Sequence, residues 1–261
     1  MQMISFVLIG FVILIYCLLC ACKRLIKDTE KNITVSNWIL LIASYIFVIY
    51  ADYRFAIVLG IITISSWFFA KYNKYSSVGI IIALVSLGYF KYTNFFIDTF
   101  AHILGLEYKR LSIMLPIGIS FYSFSAISYI VDVKKGKIKD RDLKSVALYL
   151  SFFPKITSGP IQRSKEFFEQ TDVDRKVDWN AFLTGIQIFM FGLAKKIVLA
   201  DRLSVFADQV LAIPLAFGSM TVSLAALAYF FQIYFPIYLL ILVLYYLLVK
   251  IHPLKQLLQL L

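Results

Sequence analysis

At 261 residues, 61% of them apolar and only 16% charged, the chain is far oilier than a soluble domain; soluble domains carry about a quarter charged and just under half apolar residues. A mean hydropathy of +0.83 excludes an ordinary water-soluble fold, which could not hide that much apolar surface, whereas a lipid solvent does not require it to be hidden. The net charge of +11 would suit a nucleic-acid binder, but the basic residues follow loop alternation instead of one continuous face, so that class is set aside.

The first apolar run, Ile4 to Cys22, contains no charge. Met1, Gln2 and Met3 are uncharged and no small-residue cleavage pattern closes the run, so it reads as a retained span and not as a cleaved signal. Cys17, Cys20 and Cys22 lie near its end; no histidine or fourth cysteine is nearby to complete a four-ligand zinc site, and no metal is expected. Lys23, Arg24, Lys27 and Lys31 follow. Asn32-Ile33-Thr34 has the form of a glycosylation sequon, but it falls on this basic side and reads as chance.

The next charge-free runs are Trp38 to Ala51, Phe55 to Ala70, Ser76 to Phe90 and Ser112 to Val131. A spanning helix needs roughly 20 mostly apolar residues, and in lipid the backbone satisfies its own hydrogen bonds only as helix or closed barrel. Basic residues cluster after alternate runs: Lys71 and Lys74 after the third, then Lys134, Lys135, Lys137, Lys139, Arg141 and Lys144 after the fifth. The intervening loops are poorer, with Arg54 in one and Lys109 and Arg110 in another, together with His102. Short basic loops stay in the cytoplasm, which predicts an amino terminus outside. Ala181 to Ala194 is mostly apolar and Leu224 to Val249 carries no charge. The expectation is an all-α, polytopic membrane protein with about six to eight membrane segments, one of them broken or re-entrant.

Ser145 to Ile161, SVALYLSFFPKITSGPI, is the candidate broken element. It is apolar but short for a span; Pro154 removes a donor, and Gly159-Pro160 interrupts the helix again. Broken backbone at membrane depth needs protein or a water-filled cavity around it, and an ionisable residue there, Lys155, is a functional-site hypothesis. A snorkelling Lys155 beside a simple turn is the competing reading. Gln162 to Trp179 is polar and is expected at the surface. In Gly192 to Arg202, GLAKKIVLADR, Lys195 and Lys196 interrupt an apolar helix that Asp201 and Arg202 close. These residues form either an interfacial helix end or, with Lys195, Lys196 and Arg202 on the donor side, a basic funnel for an anionic donor.

Four stretches then resemble, in order, the motifs of the membrane-bound O-acyltransferase family: Leu115 to Val133 (LPIGISFYSFSAISYIVDV), Phe152 to Arg163 (FFPKITSGPIQR), Gly192 to Arg202, and Phe231 to Phe235 (FQIYF). The resemblance covers roughly residues 1–235 and is strongest to the bacterial alginate O-acetyltransferase branch, with the teichoic-acid D-alanylation protein a near relative. It implies transfer of an acyl group, here acetyl, from a cytoplasmic thioester through a buried tunnel to a hydroxyl of an extracellular polysaccharide. The donor would be acetyl-coenzyme A or a carrier-protein thioester, with no resident cofactor. It also implies a multi-pass protein of the bacterial inner membrane, with lipid around it and a secreted acetyltransferase partner. A buried histidine serves this family as general base.

After Phe235 the family's Asp-Phe-Ser-Gly-type sequence and its later Trp-His segment are not found; residues 236–261 form a divergent apolar tail. The two histidines, His102 and His252, occupy no family motif, so no catalytic residue is assigned. The expectation is a truncated or frameshifted chain, inactive as given; the alternatives are an inactive or partner-binding membrane fragment and a small-molecule transporter. A transporter of this size often shows an internal repeat, and none is evident. The cavity-lining candidates are Lys155, Ser158, Gly159, Pro160, Arg163, Gln232 and Tyr234.

Overall fold

The computed structural model describes residues 2–105, 111–156, 162–173, 183, 187, 190–192 and 194–248, with side chains described for residues 10–72, 74–105, 111–156, 162–173 and from 183 through 234 within those ranges. Every regular element among them is helical. The chain divides into two compact units, Met1–Asp174 and Arg175–Leu261.

The first unit opens with α1 (Gln2–Leu25), α2 (Thr29–Ala51) and α3 (Tyr53–Lys71). Short polar caps permit the tight reversals between them. The Asp28 carboxylate accepts from the backbone N–H of Glu30 and Lys31 at the start of α2. Asp52, extended at φ −168°, does the same for Arg54 at 2.8 Å and starts α3 one residue after α2 ends. Each side chain satisfies donors that a helix start leaves orphaned. Polar residues buried along α2 and α3 return their hydroxyls to the preceding turn: Ser44 to the Leu40 carbonyl, Thr63 to Leu59 and Ser66 to Ile62. This local bonding lets serine and threonine sit inside an apolar helix. Asn32 is likewise buried, accepting from Cys22 Sγ at 3.4 Å and Ser36 Oγ at 3.3 Å, so the sequon asparagine serves internal packing.

The fourth apolar run becomes a longer rod than its hydropathy suggested. α4 (Ser76–Leu87) continues through a π-helical turn at Gly88–Tyr92 into α5 (Thr93–Leu104). Among the described residues, three helices are long and apolar enough to cross a membrane: α2, α3 and this Ser76–Leu104 rod of 29 residues. His102 therefore lies on the last turn of α5, exposed, and not in a loop. The fifth run also differs. Residues 111–118 are irregular and α6 spans only Ile119–Lys134, because Pro116 and Gly118 hold the chain out of helix until Ile119.

α7 (Leu143–Ser151) and α8 (Phe153–Ile156) form the expected broken element, and α9 (Ser164–Thr171) follows. α7 packs on α2, α3 and α6, and α8 on α2 and α6. The break is thus enclosed by protein, the setting in which a membrane tolerates non-helical backbone. α9 is less superficial than its polar sequence suggests: Ser164, Phe167, Phe168 and Thr171 are buried.

In the second unit a π-helical turn at Lys196–Ala200 leads into α10 (Asp201–Ala212), and after a short 3-10 turn at Pro214–Ala216 the charge-free run forms α11 (Ser219–Leu248), 30 residues long. α10 and α11 pack on each other.

Candidate functional site

The site is built where α7 stops. Ser151 ends α7, Phe152 turns out at φ −48°, ψ 106°, and helix resumes at Phe153. Pro154 accounts for this. In a continued α7 it would leave the Leu150 carbonyl without a donor and its ring would clash, whereas in the first turn of a new helix it costs nothing. Lys155 and Ile156 both return their N–H groups to the Phe152 carbonyl, at 3.0 and 3.1 Å. The Phe153 N–H, orphaned by the break, donates to Ser44 Oγ on α2 at 3.2 Å. Ser44 thus serves two helices.

The irregular stretch before α6 closes on the same turn. Gly118 is left-handed at φ 75°, and a Cβ built on it would fall 2.0 Å from the Ile156 carbonyl oxygen. Only glycine permits that conformation and that approach together.

Around the break lies a continuous aromatic cluster. Phe153 meets Phe11 edge-on at 5.3 Å, Phe152 meets Phe167 at 5.4 Å, and Tyr149 meets Phe167 and Phe168 at 5.2 and 5.6 Å. Lys155 projects into it. Its Nζ stands 3.6 Å from the Tyr149 ring centroid and 4.6 Å from that of Phe167, and the residue is only 8% exposed. The amine is thus buried among rings and does not extend outward as a snorkelling lysine would. Lys155 Nζ has no hydrogen-bond partner among the described residues, nor do the buried Tyr122 hydroxyl, Ser123 Oγ and Ser151 Oγ. These groups lie on α6, α7 and α8, which pack together. A ring face attracts an ammonium, but it replaces none of the three hydrogen bonds that an ammonium can donate. Buried polar groups left this way are uncommon, and each calls for a partner or a role.

α9 is strapped beneath this cluster by polar anchors. Ser164 Oγ donates to Asp132 on α6 at 2.7 Å, and Asn37 Nδ2 donates to the Thr171 carbonyl at 3.1 Å. Arg141 pairs with Asp172 at 2.7 Å and lies 4.9 Å over the Phe168 ring. Tyr149 Oη donates to the Gln162 carbonyl at 2.8 Å. Both ends of the segment carrying Ser158, Gly159 and Pro160 are therefore tied to the cluster, while those three candidates lie outside the described residues.

The remaining candidates are placed as follows. Arg163 is exposed at the N-cap of α9. In the second unit Lys195 and Lys196 are half-buried, with Lys195 Nζ 5.6 Å from the Phe191 ring, and Arg202 is exposed on α10. Gln232 is half-buried on α11, its Oε1 lacking a hydrogen-bond partner among the described residues, and Tyr234 stacks on Phe230 at 6.1 Å. His252 lies outside the described residues. Ser44, Gly118, Tyr149 and Phe167 were missed as individual site residues. Gly118 and Tyr149 were visible, the first as the glycine preceding a helix inside a quoted motif, the second one and a half turns before Lys155. Nothing in the sequence joins Ser44 to residue 153.

These features define a polytopic α-helical membrane protein organised around a broken helix with a buried, aromatic-lined lysine. No protein-family model matches the chain. It is 36% identical over 219 residues, 76% of its length, to the probable alginate O-acetylase AlgI of Pseudomonas syringae pv. tomato, and 37% identical over the same share to that of Pseudomonas putida. It is also 29% identical over 194 residues, 62% of its length, to the peptidoglycan O-acetyltransferase of Helicobacter pylori. The matches cover 41%, 44% and 37% of those three relatives, so the chain spans less than half of each. At 33–37% identity over 76% of the chain its likeness is to these bacterial O-acetylases, the branch of the membrane-bound O-acyltransferase family whose motifs it resembles.

Proposed function

We propose that the chain takes part in O-acetyl transfer across the bacterial inner membrane, from a cytoplasmic thioester to a hydroxyl of an extracellular polysaccharide. In this reaction the hydroxyl oxygen bonds to the thioester carbonyl carbon, the C–S bond breaks, and the hydroxyl proton ends on the thiolate, giving an ester and a thiol. Negative charge develops on the carbonyl oxygen along the way, and a fixed donor aimed at it is worth most in a water-poor site. The single observation that carries the reading is the Lys155 amine in the enclosed break, without a hydrogen-bond partner among the described residues: it is a donor held by ring faces that accept none of its hydrogen bonds. The activities for which the relatives are named, O-acetylation of alginate and of peptidoglycan, support a common acyl-handling part with differing acceptors. Lys195, Lys196 and Arg202 would attract the anionic donor, acetyl-coenzyme A or a carrier thioester, on the cytoplasmic side. The general base would be a histidine in the segment that the family carries beyond these motifs, and a secreted acetyltransferase would complete delivery. The amino terminus would lie outside, with the Lys134–Lys144 loop in the cytoplasm.

The test is transfer of labelled acetyl from acetyl-coenzyme A to polysaccharide in membranes carrying the chain joined to the histidine-bearing segment of a relative, with Lys155→Met beside it. Methionine fills nearly the same volume without a donor. The loss of the ring contact, up to about 2 kcal/mol, roughly offsets the relief of an unpaired buried group, about 1–3 kcal/mol, so the variant should fold. Loss of about a hundredfold or more in transfer is expected; full activity of Lys155→Met would refute the role of the amine. If the chain so joined transfers no acetyl group, alone or with a secreted acetyltransferase, the partner-binding reading replaces the enzymatic one.

A further inference from the structure

A groove runs between α2 and α7, and none of the residues lining it belongs to the Lys155 aromatic cluster. It is walled by Trp38, Leu41, Ile42 and Tyr45 of α2 and by Leu143, Lys144 and Ala147 of α7, and is an open groove of about 530 Å³. That is within the range of small-molecule sites, roughly 300–1,000 Å³. Its walls are apolar except for the Tyr45 hydroxyl and the Lys144 amine. Trp38 and Ile42 are 47% and 55% exposed, so the groove faces outward, toward whatever surrounds the helix bundle.

We propose that this groove binds the acyl chain of an anionic phospholipid, with its headgroup phosphate held by Lys144. Three observations converge on that occupant. The first is register. The polar start of α2, Thr29 to Asn37, gives way to the charge-free run at Trp38, so Trp38 sits where headgroups meet hydrocarbon, a position at which tryptophan is enriched. The apolar wall from Trp38 to Tyr45 then runs two turns, about 10 Å, into the span. The second is charge. Lys144 lies at the second position of α7, at the end of the loop that carries Lys134, Lys135, Lys137, Lys139 and Arg141. Its Nζ stands 5.8 Å over the Trp38 ring, and among the described residues it has no acidic partner. Basic pockets between membrane helices on the side of the basic loops suit anionic headgroups. The third is the lining itself. A soluble ligand would leave most of its polar groups unpaired against these walls, whereas an acyl chain leaves none. The site is separate from acetyl transfer, and its test reads no transfer.

The test is lipid retention. The chain is reconstituted in phosphatidylcholine vesicles containing a minor share of phosphatidylglycerol, extracted in mild detergent, and its bound lipids are identified by native mass spectrometry. Retained phosphatidylglycerol, enriched over its share in the vesicle, is expected. Lys144→Gln should lower that enrichment about fivefold, the ~1 kcal/mol that one lysine contributes at an anionic surface, while neutral lipid is still retained. Ile42→Trp, which fills the groove from an exposed position, should remove retention of both. Lys139→Gln, in the same loop but outside the groove, should change neither. Absence of enrichment in the unaltered chain, unchanged enrichment in Lys144→Gln, or an equal loss in Lys139→Gln would each overturn the assignment.

Discussion

Gly118→Ala should be among the most damaging single-methyl changes in the first unit, and its cost can be worked out. Two penalties add. A side chain at φ 75° is strained by about 1–2 kcal/mol, and the new methyl would stand 2.0 Å from the Ile156 carbonyl oxygen, with Ile156 carbonyl carbon and side chain at 2.9 Å. The obstacle is backbone, so relief requires moving the α8 turn, an overpacking cost of about 1–3 kcal/mol. The sum, about 2–5 kcal/mol, should lower the thermal midpoint in a fixed detergent by on the order of 10 °C. Gly136→Ala supplies the comparison. Gly136 is also left-handed, at φ 68°, but an added Cβ there has nothing within 4 Å. It should cost only the strain, so the difference between the two variants isolates the close approach of residue 118 to the α8 turn. The displaced turn carries Lys155, so acetyl transfer by the chain joined to the histidine-bearing segment should fall with Gly118→Ala and hold with Gly136→Ala. Equal losses of thermal midpoint in the two variants would refute the contact argument.

Ser44→Ala should orphan the Phe153 N–H, to which Ser44 Oγ is bonded at 3.2 Å, and cost about 1–3 kcal/mol; a thermal midpoint unchanged from the parent would contradict it. Asp132→Asn should loosen α9 by weakening the 2.7 Å bond from Ser164, read as faster amide exchange across Ser164–Thr171 with α2 unaffected. Arg141→Gln removes a partly exposed ion pair with Asp172 and the contact over Phe168. Exposed pairs are screened and worth only about 0–1 kcal/mol, so α9 exchange should rise less than in Asp132→Asn. A cysteine placed at Lys139 should be reached by a membrane-impermeant thiol reagent only from the cytoplasmic face; labelling of intact cells from outside would reverse the proposed orientation.

The sequence alone determined the solvent and the class of secondary structure. Charge-free runs longer than a dozen residues cannot be solvated in water, and in lipid they must close their own hydrogen bonds, so an all-α membrane protein followed from composition and hydropathy. It also marked where the helix fails, because Pro154 carries no N–H wherever it lies, and its motifs indicated the family. Hydropathy placed the ends of the elements less well. The run from Ser76 continued as helix to Leu104 through a π-helical turn, and the run from Ser112 stayed irregular until Ile119. Apolarity reports which solvent a segment tolerates, while helix ends are set by local backbone chemistry. Tertiary structure alone decided what the break means. Whether Lys155 reached the headgroups or turned inward was open from the chain, since a lysine stem suits either. It is the packing of α7 and α8 against α2 and α6, with Tyr149 and Phe167 brought over the amine, that holds it inside. The same packing set Ser44 opposite Phe153 and Gly118 against Ile156, across sequence separations that no local pattern encodes.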